Sequence, residues 1–346
     1  MKTVAAVLVE QNRLLELMEL EVPVLKPGQV LVELLWSGVC YTQVMEWRGH
    51  KGKDPFLPHC LGHEGVGAVL EVGAGVSKVK AGDRVVLSWI KGSGADVPST
   101  VYQAGALKVN SGAITTFGRH AVISENRLTP LIEGVDPRTA ALLGCALPTG
   151  FGAVVNTAAV RAGQSVVVFG VGGVGLCSVA AAVVSGGTPV VAVDINPARL
   201  ALAKDLGATH CVNPAEGNVI EALGKIVKGG FDVAIEASGR PEVIAQALSV
   251  VRNQGGAAVV IGNAKADERV TIDPKQFNMG KQLRGTLGGD TVPDRDMPRL
   301  MTLLRDQRMD LQGLLSAPYR LSDINQALLD IERGAIARPI IDLRAG

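Results

Sequence analysis

Residues 165–194 read SVVVFGVGGVGLCSVAAAVVSGGTPVVAVD, and this stretch decides the fold. An apolar, β-branched run ends at Phe169, where a glycine-rich turn and a small-residue helical segment follow. A second apolar run, 190–193, then ends on Asp194. This order of strand, turn, helix and strand predicts a βαβ unit with parallel strands.

The turn carries Gly170, Gly172 and Gly175 in the spacing G-x-G-x-x-G. The first glycine permits a tight turn, the second lets the backbone approach a pyrophosphate, and the third lets helix and strand pack closely. The N–H groups at the helix start, which includes Gly173 and Val174, are available to phosphate oxygens. The turn is therefore predicted to bind a dinucleotide.

Asp194 lies at the end of the second strand, where a carboxylate accepts hydrogen bonds from an adenosine ribose. The same carboxylate repels a 2′-phosphate, which favours NAD over NADP. A glycine-rich turn in some other βαβ unit is the alternative interpretation of the motif. The two strands, the helix and the acidic residue in order favour dinucleotide binding.

Composition excludes several functional classes. The chain has 346 residues, which predicts two domains, and a net charge of +1 from 34 basic and 33 acidic residues. The sequence has no long run of basic or of acidic residues, so nothing indicates a nucleic-acid-binding or polybasic membrane-binding surface. Residues 162–193 carry no charge, but glycines and Pro189 divide them among strand, turn and helix. We therefore expect buried strands there and no membrane span.

The five cysteines are an odd number, and the N-terminus lacks the pattern of a signal peptide. Both observations predict a reducing compartment, the cytoplasm. Three of the cysteines, Cys60, Cys177 and Cys211, are interpreted as buried thiols.

The chain divides by pattern into an α/β fold with two domains. Residues 1–148 are β-rich with frequent turns, and residues 149–287 alternate strand and helix, which predicts a doubly wound parallel sheet. Residues 288–346 contain two helical stretches and a final strand, and we expect them to complete the first domain.

Three residues of the first domain are candidate metal ligands: Cys40, His63 and Cys145. Two thiolates and one imidazole suit zinc, and three protein ligands leave a fourth position for water or substrate. The spacing is too wide for a zinc finger. Taken singly, each cysteine is more often a small buried hydrophobe than a ligand.

Five motifs occur in order across almost the whole chain: GVCYT (38–42), LGHEGVG (61–67), GCALPTG (144–150), GVGGVG (170–175) and DINPARLALAKDLGAT (194–209). In these motifs the sequence resembles the zinc-dependent alcohol dehydrogenases of the medium-chain dehydrogenase/reductase superfamily. The resemblance implies a GroES-like catalytic domain and a Rossmann NAD-binding domain. It also implies a homodimer or homotetramer that acts on a small alcohol or carbonyl compound.

Site residues follow from the same resemblance. It implies that Cys40, His63 and Cys145 ligate one catalytic zinc, with Glu64 as an alternative ligand. Thr42 matches the hydroxyl residue that takes the proton of the substrate alcohol.

The resemblance extends to the cofactor. Asp194 and Arg199 match the contacts to the adenosine ribose, and Thr149 matches a residue near the nicotinamide. Arg338 matches an arginine near the pyrophosphate. Trp89 matches a large apolar residue of the substrate pocket.

The sequence departs from the family pattern in several places. Residues 88–112 contain no cysteine, so no structural zinc is expected. Gln43 stands where an aspartate supports the ligand histidine, and Met45 where a histidine completes a proton relay. Glu46 and His50 lie close in sequence, and we interpret them as surface residues.

The predicted function is a zinc-dependent oxidoreductase that transfers a hydride between an alcohol and NAD. Cys145 favours simple or aromatic alcohols, because polyol dehydrogenases commonly have glutamate at that position. A polyol, sugar or cyclitol dehydrogenase, a zinc-independent reductase of quinones or enoyl compounds, and a non-catalytic nucleotide-binding protein are the alternatives.

Overall fold

The structure is a computed structural model that describes residues 1–345. These residues form two units. The first comprises Met1–Cys145, Val292–Gln307 and the chain from Leu315 onward, and the second comprises Ala146–Thr291 and Arg308–Leu314.

This division differs from the predicted domain bounds. The first break lies after Cys145, three residues before the predicted one, and the second lies after Thr291 rather than after residue 287. The segment Arg308–Leu314, predicted to belong with the C-terminal part of the first domain, lies in the second unit. Its Leu311 and Leu314 are buried, and a side chain at Gly313 would lie 3.6 Å from Leu202 Cδ2 of the second unit.

The N-terminal part of the first unit begins with strands and short helices. They are β1 (Lys2–Leu8), β2 (Glu16–Glu21), β3 (Gln29–Gly38), α1 (Tyr41–Trp47), β4 (His59–Cys60), β5 (Glu64–Val72), β6 (Arg84–Ser88), β7 (Val101–Ala104), β8 (Leu107–Asn110), β9 (His120–Ser124), β10 (Leu128–Pro130) and α2 (Pro137–Ala140). Strands β1, β2, β7, β8 and β4 close in that order into a small barrel.

The second unit consists of alternating helices and parallel strands. They are α3 (Ala146–Gly152), β11 (Val166–Phe169), α4 (Gly173–Val184), β12 (Val190–Val193), α5 (Pro197–Asp205), β13 (His210–Val212), α6 (Val219–Ile226), β14 (Val233–Glu236), α7 (Pro241–Val250), β15 (Ala257–Val260), α8 (Lys275–Asn278) and β16 (Gln282–Gly285). The strand order is β13-β12-β11-β14-β15-β16, with every pair parallel. The order reverses between β11 and β14, the place where such sheets bind ligands.

Most of the C-terminal part of the chain returns to the first unit. It contributes α9 (Pro293–Arg305), β17 (Tyr319–Arg320), α10 (Ile324–Glu332) and β18 (Ile340–Asp342). Strand β18 pairs antiparallel with β3, so the open sheet runs β10-β6-β5-β3-β18-β17, with β9 also pairing with β3. This sheet positions the polar site described below.

The uncharged residues 162–193 divide into β11, α4 and β12, as the sequence predicts. Within residues 1–345, no single helix is both long and apolar enough to cross a membrane. The segments 137–144 and 146–157 reach that length and composition only when they are counted together.

Of the three thiols expected to be buried, Cys60 and Cys177 are buried. The expectation for Cys211 is wrong, because its side chain is exposed. Cys211 lies on β13, a strand at the edge of the sheet that has one strand neighbour among the described residues. An edge strand is less completely covered than a central one, and periodicity does not reveal the difference.

Candidate metal centre and cofactor-binding turn

Cys40 and His63 come together because β3 and β5 are antiparallel neighbours. Ser37, near the end of β3, is paired with Gly65, near the start of β5. Cys40 therefore follows one strand and His63 precedes the other at the same end of the sheet. The Ser37 hydroxyl donates to the backbone oxygen of Glu64 at 3.1 Å and fixes this alignment.

Cys145 reaches the same place through the backbone of Gly144. The Ser88 hydroxyl, at the end of β6, donates to the Gly144 carbonyl at 2.8 Å. A side chain at position 144 would lie 2.4 Å from the Leu87 carbonyl oxygen and 2.5 Å from Glu64 Cα, so only glycine fits. This close approach places Cys145 beside the other two residues.

The ligand atoms of Cys40, His63 and Cys145 all lie within 4.8 Å of one another. Donor atoms at about 2.0–2.3 Å from a tetrahedral zinc lie roughly 3.5–3.8 Å apart, so small side-chain adjustments accommodate the ion. Both cysteines are buried, and His63 Nε2 is buried without a hydrogen-bond partner among the described residues. An imidazole nitrogen left in this state beside two sulfurs fits zinc.

The two cysteines have different proton affinities. The pKa of the Cys40 thiol lies well below its ordinary value, because a hydrogen bond with Cys145 outweighs the opposing effect of burial, and the charges of Arg338 and His63 lower it further. The same hydrogen bond and burial raise the pKa of Cys145. Cys40 is therefore the more acidic thiol of the pair, and the thiolate is the form of cysteine that binds a metal.

Glu64 lies beside this cluster, but its carboxylate pairs with Arg338. Arg338 Nη2 donates to Glu64 Oε2 at 2.9 Å, and both side chains are almost fully buried. The structure groups three of the four predicted metal ligands and does not include Glu64 in that group. The predicted role of Glu64 as an alternative ligand remains a prediction.

Arg338 lies just before β18, and Cys40 lies just after β3. Because β18 and β3 pair antiparallel, with Ile340 opposite Gly38, these two ends come together. Burial lowers the pKa of the Arg338 guanidinium, but the charges of Glu64, Cys40 and Cys145 outweigh burial and raise it. The arginine therefore remains a buried cation that offsets the carboxylate and the thiolate. Its predicted contact with a pyrophosphate remains a prediction.

Helix α1 carries Thr42 and Gln43, which contact the metal-ligand cluster. Thr42 Oγ1 lies 3.6 Å from Cys40 Sγ, and Met45 is buried. Gln43 contacts both Cys40 and His63. Glu46, interpreted as a surface residue, forms an ion pair with Lys51 at 2.8 Å.

The glycine turn joins β11 to α4 in the second unit. Gly170 has a φ of +78°, and a side chain there would lie 2.9 Å from the Ser238 nitrogen. Gly172 is the N-cap of α4, and a side chain there would meet nothing closer than Arg199 Nη1 at 4.0 Å. The space beside Gly172 is therefore open at the start of the helix, where the first N–H groups have no partner within the helix and are available to phosphate oxygens.

The other predicted cofactor residues surround this turn or lie in α3. Asp194 Oδ2 accepts from Val171 N and its Oδ1 accepts from Asn196 N, both at 2.8 Å, which fixes the carboxylate. Arg199 Nη1 lies 4.0 Å from Asp194 Oδ2. Thr149, in α3, has a buried hydroxyl oxygen without a hydrogen-bond partner among the described residues.

A second turn, which sequence reasoning missed, supports the first. Glu236 ends β14, and its Oε1 accepts from the backbone nitrogens of Ser238 and Gly239 at 2.7 and 2.9 Å. Burial raises the pKa of this carboxyl group, and the hydrogen bonds oppose the rise. The turn packs against Gly170. A charged residue ending the apolar run VAIE was the available signal.

Two family models match the chain: the alcohol dehydrogenase GroES-like domain at residues 26–133 and the zinc-binding dehydrogenase at residues 173–306. An S-(hydroxymethyl)glutathione dehydrogenase from Synechocystis sp. is 32% identical over 99% of this chain and 100% of its own length. The chain belongs to the zinc-dependent alcohol dehydrogenase family of the medium-chain dehydrogenase/reductase superfamily. The predicted fold class is therefore confirmed.

Solved structures agree with this membership. An alcohol dehydrogenase zinc-binding domain protein from Burkholderia ambifaria is 32% identical with a TM-score of 0.92. Benzyl alcohol dehydrogenase from Acinetobacter calcoaceticus is 29% identical with a TM-score of 0.91. Each comparison covers 99% of both chains. This zinc-dependent alcohol dehydrogenase family member is thus an oxidoreductase that acts on alcohols.

Proposed function

We propose that this chain oxidises a small or aromatic primary alcohol to an aldehyde with NAD as the hydride acceptor, and catalyses the reverse reduction. The observation that carries the proposal is the cluster of Cys40, His63 and Cys145. The printed names of two relatives support the substrate class, since benzyl alcohol and S-(hydroxymethyl)glutathione both carry a CH2OH group. These relatives do not favour the polyol, sugar or cyclitol alternative.

The mechanism assigns each residue of the cluster a task. Cys40, His63 and Cys145 would hold one zinc ion, and Arg338 offsets the negative charge that the thiolates and Glu64 bring. Bound zinc supplies a Lewis acid that lowers the pKa of an alcohol hydroxyl. Thr42 Oγ1 takes the alcohol proton, since a hydroxyl both donates and accepts.

Met45 cannot accept the proton from Thr42, because a thioether sulfur is too weak a base to be protonated near neutral pH. The proton would therefore pass from Thr42 to water, to the cofactor ribose or to another group. Met45 itself is buried.

The preference for NAD rests on Asp194. Its carboxylate is held in place by two backbone N–H groups and stands at the end of β12, where the ribose is expected. A 2′-phosphate there would face a fixed negative charge. Like charges at such a contact cost several kcal/mol, so we expect NAD to be favoured roughly 100-fold over NADP in kcat/KM.

The test follows NADH formation on ethanol, benzyl alcohol, sorbitol and a cyclitol, with bound zinc measured in parallel. Cys40→Ala and His63→Ala should lose zinc and nearly all activity. Cys60→Ala is the matched control, a buried cysteine of the same unit outside the cluster, and should keep both. Full activity of Cys40→Ala or His63→Ala would refute the proposal.

We also propose a cytoplasmic location and a homodimer or homotetramer. A reducing compartment keeps Cys40 and Cys145 available as thiolates. Strand β16 pairs with β15 and with no other described strand, so its second edge is open to a partner copy. Light scattering on the purified protein measures the number of subunits. A monomer at all concentrations would contradict the proposed homodimer or homotetramer.

A further inference from the structure

The amide of Gln43 serves two neighbours of the metal-ligand cluster at once. Gln43 Oε1 accepts from the backbone nitrogen of Cys40 at 3.1 Å. Gln43 Nε2 lies 2.5 Å from His63 Nδ1. Gln43 is buried, so water does not replace either contact.

Metal binding fixes the proton on His63. Nε2 is the ring nitrogen beside the two cysteines, because Nδ1 is occupied by Gln43. A neutral imidazole that binds a metal through Nε2 carries its proton on Nδ1 and needs an acceptor there. The metal-bound state therefore presents two donors to Gln43, the Cys40 N–H and the His63 Nδ1–H.

A carboxamide has one oxygen and one NH2 group. As the side chain is oriented, the oxygen accepts from Cys40 and the NH2 group faces His63 Nδ1–H, donor against donor. If the amide turns over, His63 gains its acceptor and the Cys40 N–H faces the NH2 group. One buried donor remains unsatisfied in either orientation, which costs free energy in the metal-bound state.

We propose that Gln43 sets the metal affinity of this protein and makes the zinc more readily exchangeable than a carboxylate at the same position would. The proposal rests on the zinc site of the proposed function. A carboxylate at position 43 accepts from Cys40 and His63 together, one oxygen for each, and leaves neither donor unsatisfied. Gln43 is thus a positioning residue that acts on the zinc through its two ligands.

The experiment measures zinc retained per chain at equilibrium with increasing concentrations of a zinc chelator, independently of turnover. Gln43→Glu keeps the length of the side chain and should bind zinc about 10–100-fold more tightly than the wild type, the range found for polar partners of metal ligands. Gln29→Glu is the matched control. Gln29 is also buried in the first unit, accepts from Lys26 N and donates to Thr100 Oγ1, and its replacement should leave zinc affinity unchanged.

Zinc affinity of Gln43→Glu equal to or below that of the wild type would overturn the proposal, as would an equal gain in Gln29→Glu. Gln43→Met provides a second check, because it removes the acceptor from both donors and should bind zinc more weakly than the wild type. Failure of the proposed function has a different signature. In that case the wild type itself holds no zinc, or Cys40→Ala retains it.

Discussion

Replacing Arg338 by methionine tests the electrostatic account of the site. The change keeps most of the apolar stem and removes the cation that lies 2.9 Å from Glu64 Oε2. Arg338 is 2% exposed and Glu64 is 0% exposed, so water cannot reach the remaining carboxylate. Breaking a buried ion pair from one side typically costs about 3–5 kcal/mol of unfolding free energy, and we expect a loss in this range.

Urea unfolding of the metal-free protein, followed by tryptophan fluorescence, measures this loss. Trp36, Trp47 and Trp89 all lie in the first unit, and the chain contains three tryptophans, so the signal reports on that unit alone. Arg305→Met is the control, because its partner Asp306 is exposed and such pairs contribute about 0–1 kcal/mol.

The double variant Arg338→Met with Glu64→Gln separates two explanations. If the cost arises from an unpaired buried charge, removing that charge should recover most of the lost stability. If the cost arises from lost packing, the double variant should be as unstable as Arg338→Met. A loss below about 1 kcal/mol in Arg338→Met, or no recovery in the double variant, would refute the reasoning.

Three further variants test other parts of the structure. Gly175→Ala puts a carbon 2.0 Å from the Gly170 carbonyl oxygen and should cost the second unit about 1–3 kcal/mol by calorimetry. In Gly172→Ala the new methyl group meets no close neighbour, so the variant should keep its stability but bind NAD more weakly in a fluorescence titration. Equal losses of stability and of NAD affinity in Gly175→Ala and Gly172→Ala would contradict the roles assigned to these glycines. Glu125→Gln should lose about 1.5–3 kcal/mol at neutral pH, because Glu125 accepts from the backbone nitrogens of Ser77, Lys78 and Ala95. Burial raises the pKa of Glu125, but these bonds outweigh burial and hold it below 4.5. Its contribution is therefore present above about pH 4.5 and is lost as the pH falls through the lowered pKa, where thermal unfolding of wild type and variant should converge.

The second unit was largely predictable, because its segments combine strong periodicity with clear ends. The helix α5 begins at Pro197 after the capping residue Asn196 and ends just before Gly207, and a proline in the first turn and a glycine past the last are typical of helix ends. Strands β11, β12 and β14 are continuous apolar runs, as buried parallel strands are.

The barrel of the first unit was less predictable. Strands β7 and β8 have four residues each, and their sequences VYQA and LKVN show no long alternation. They pair with each other in a hairpin, and with β2 and β4 through contacts between residues far apart in the chain. Short strands of this kind depend on their neighbours more than on their own propensity.

The metal-ligand cluster shows the same limit at the level of single atoms. Motifs identified Cys40, His63 and Cys145 as donors, and the departure at Gln43 was visible because an amide differs from a carboxylate. What the sequence did not contain is the second neighbour of that amide, the Cys40 N–H, which becomes a neighbour because α1 begins immediately after β3. The one oxygen of an amide can satisfy a single donor. In the metal-bound state the amide faces two donors, and one of them remains unsatisfied. The chemical meaning of Gln43 therefore depends on counting donors and acceptors in three dimensions, which residue identity alone does not permit.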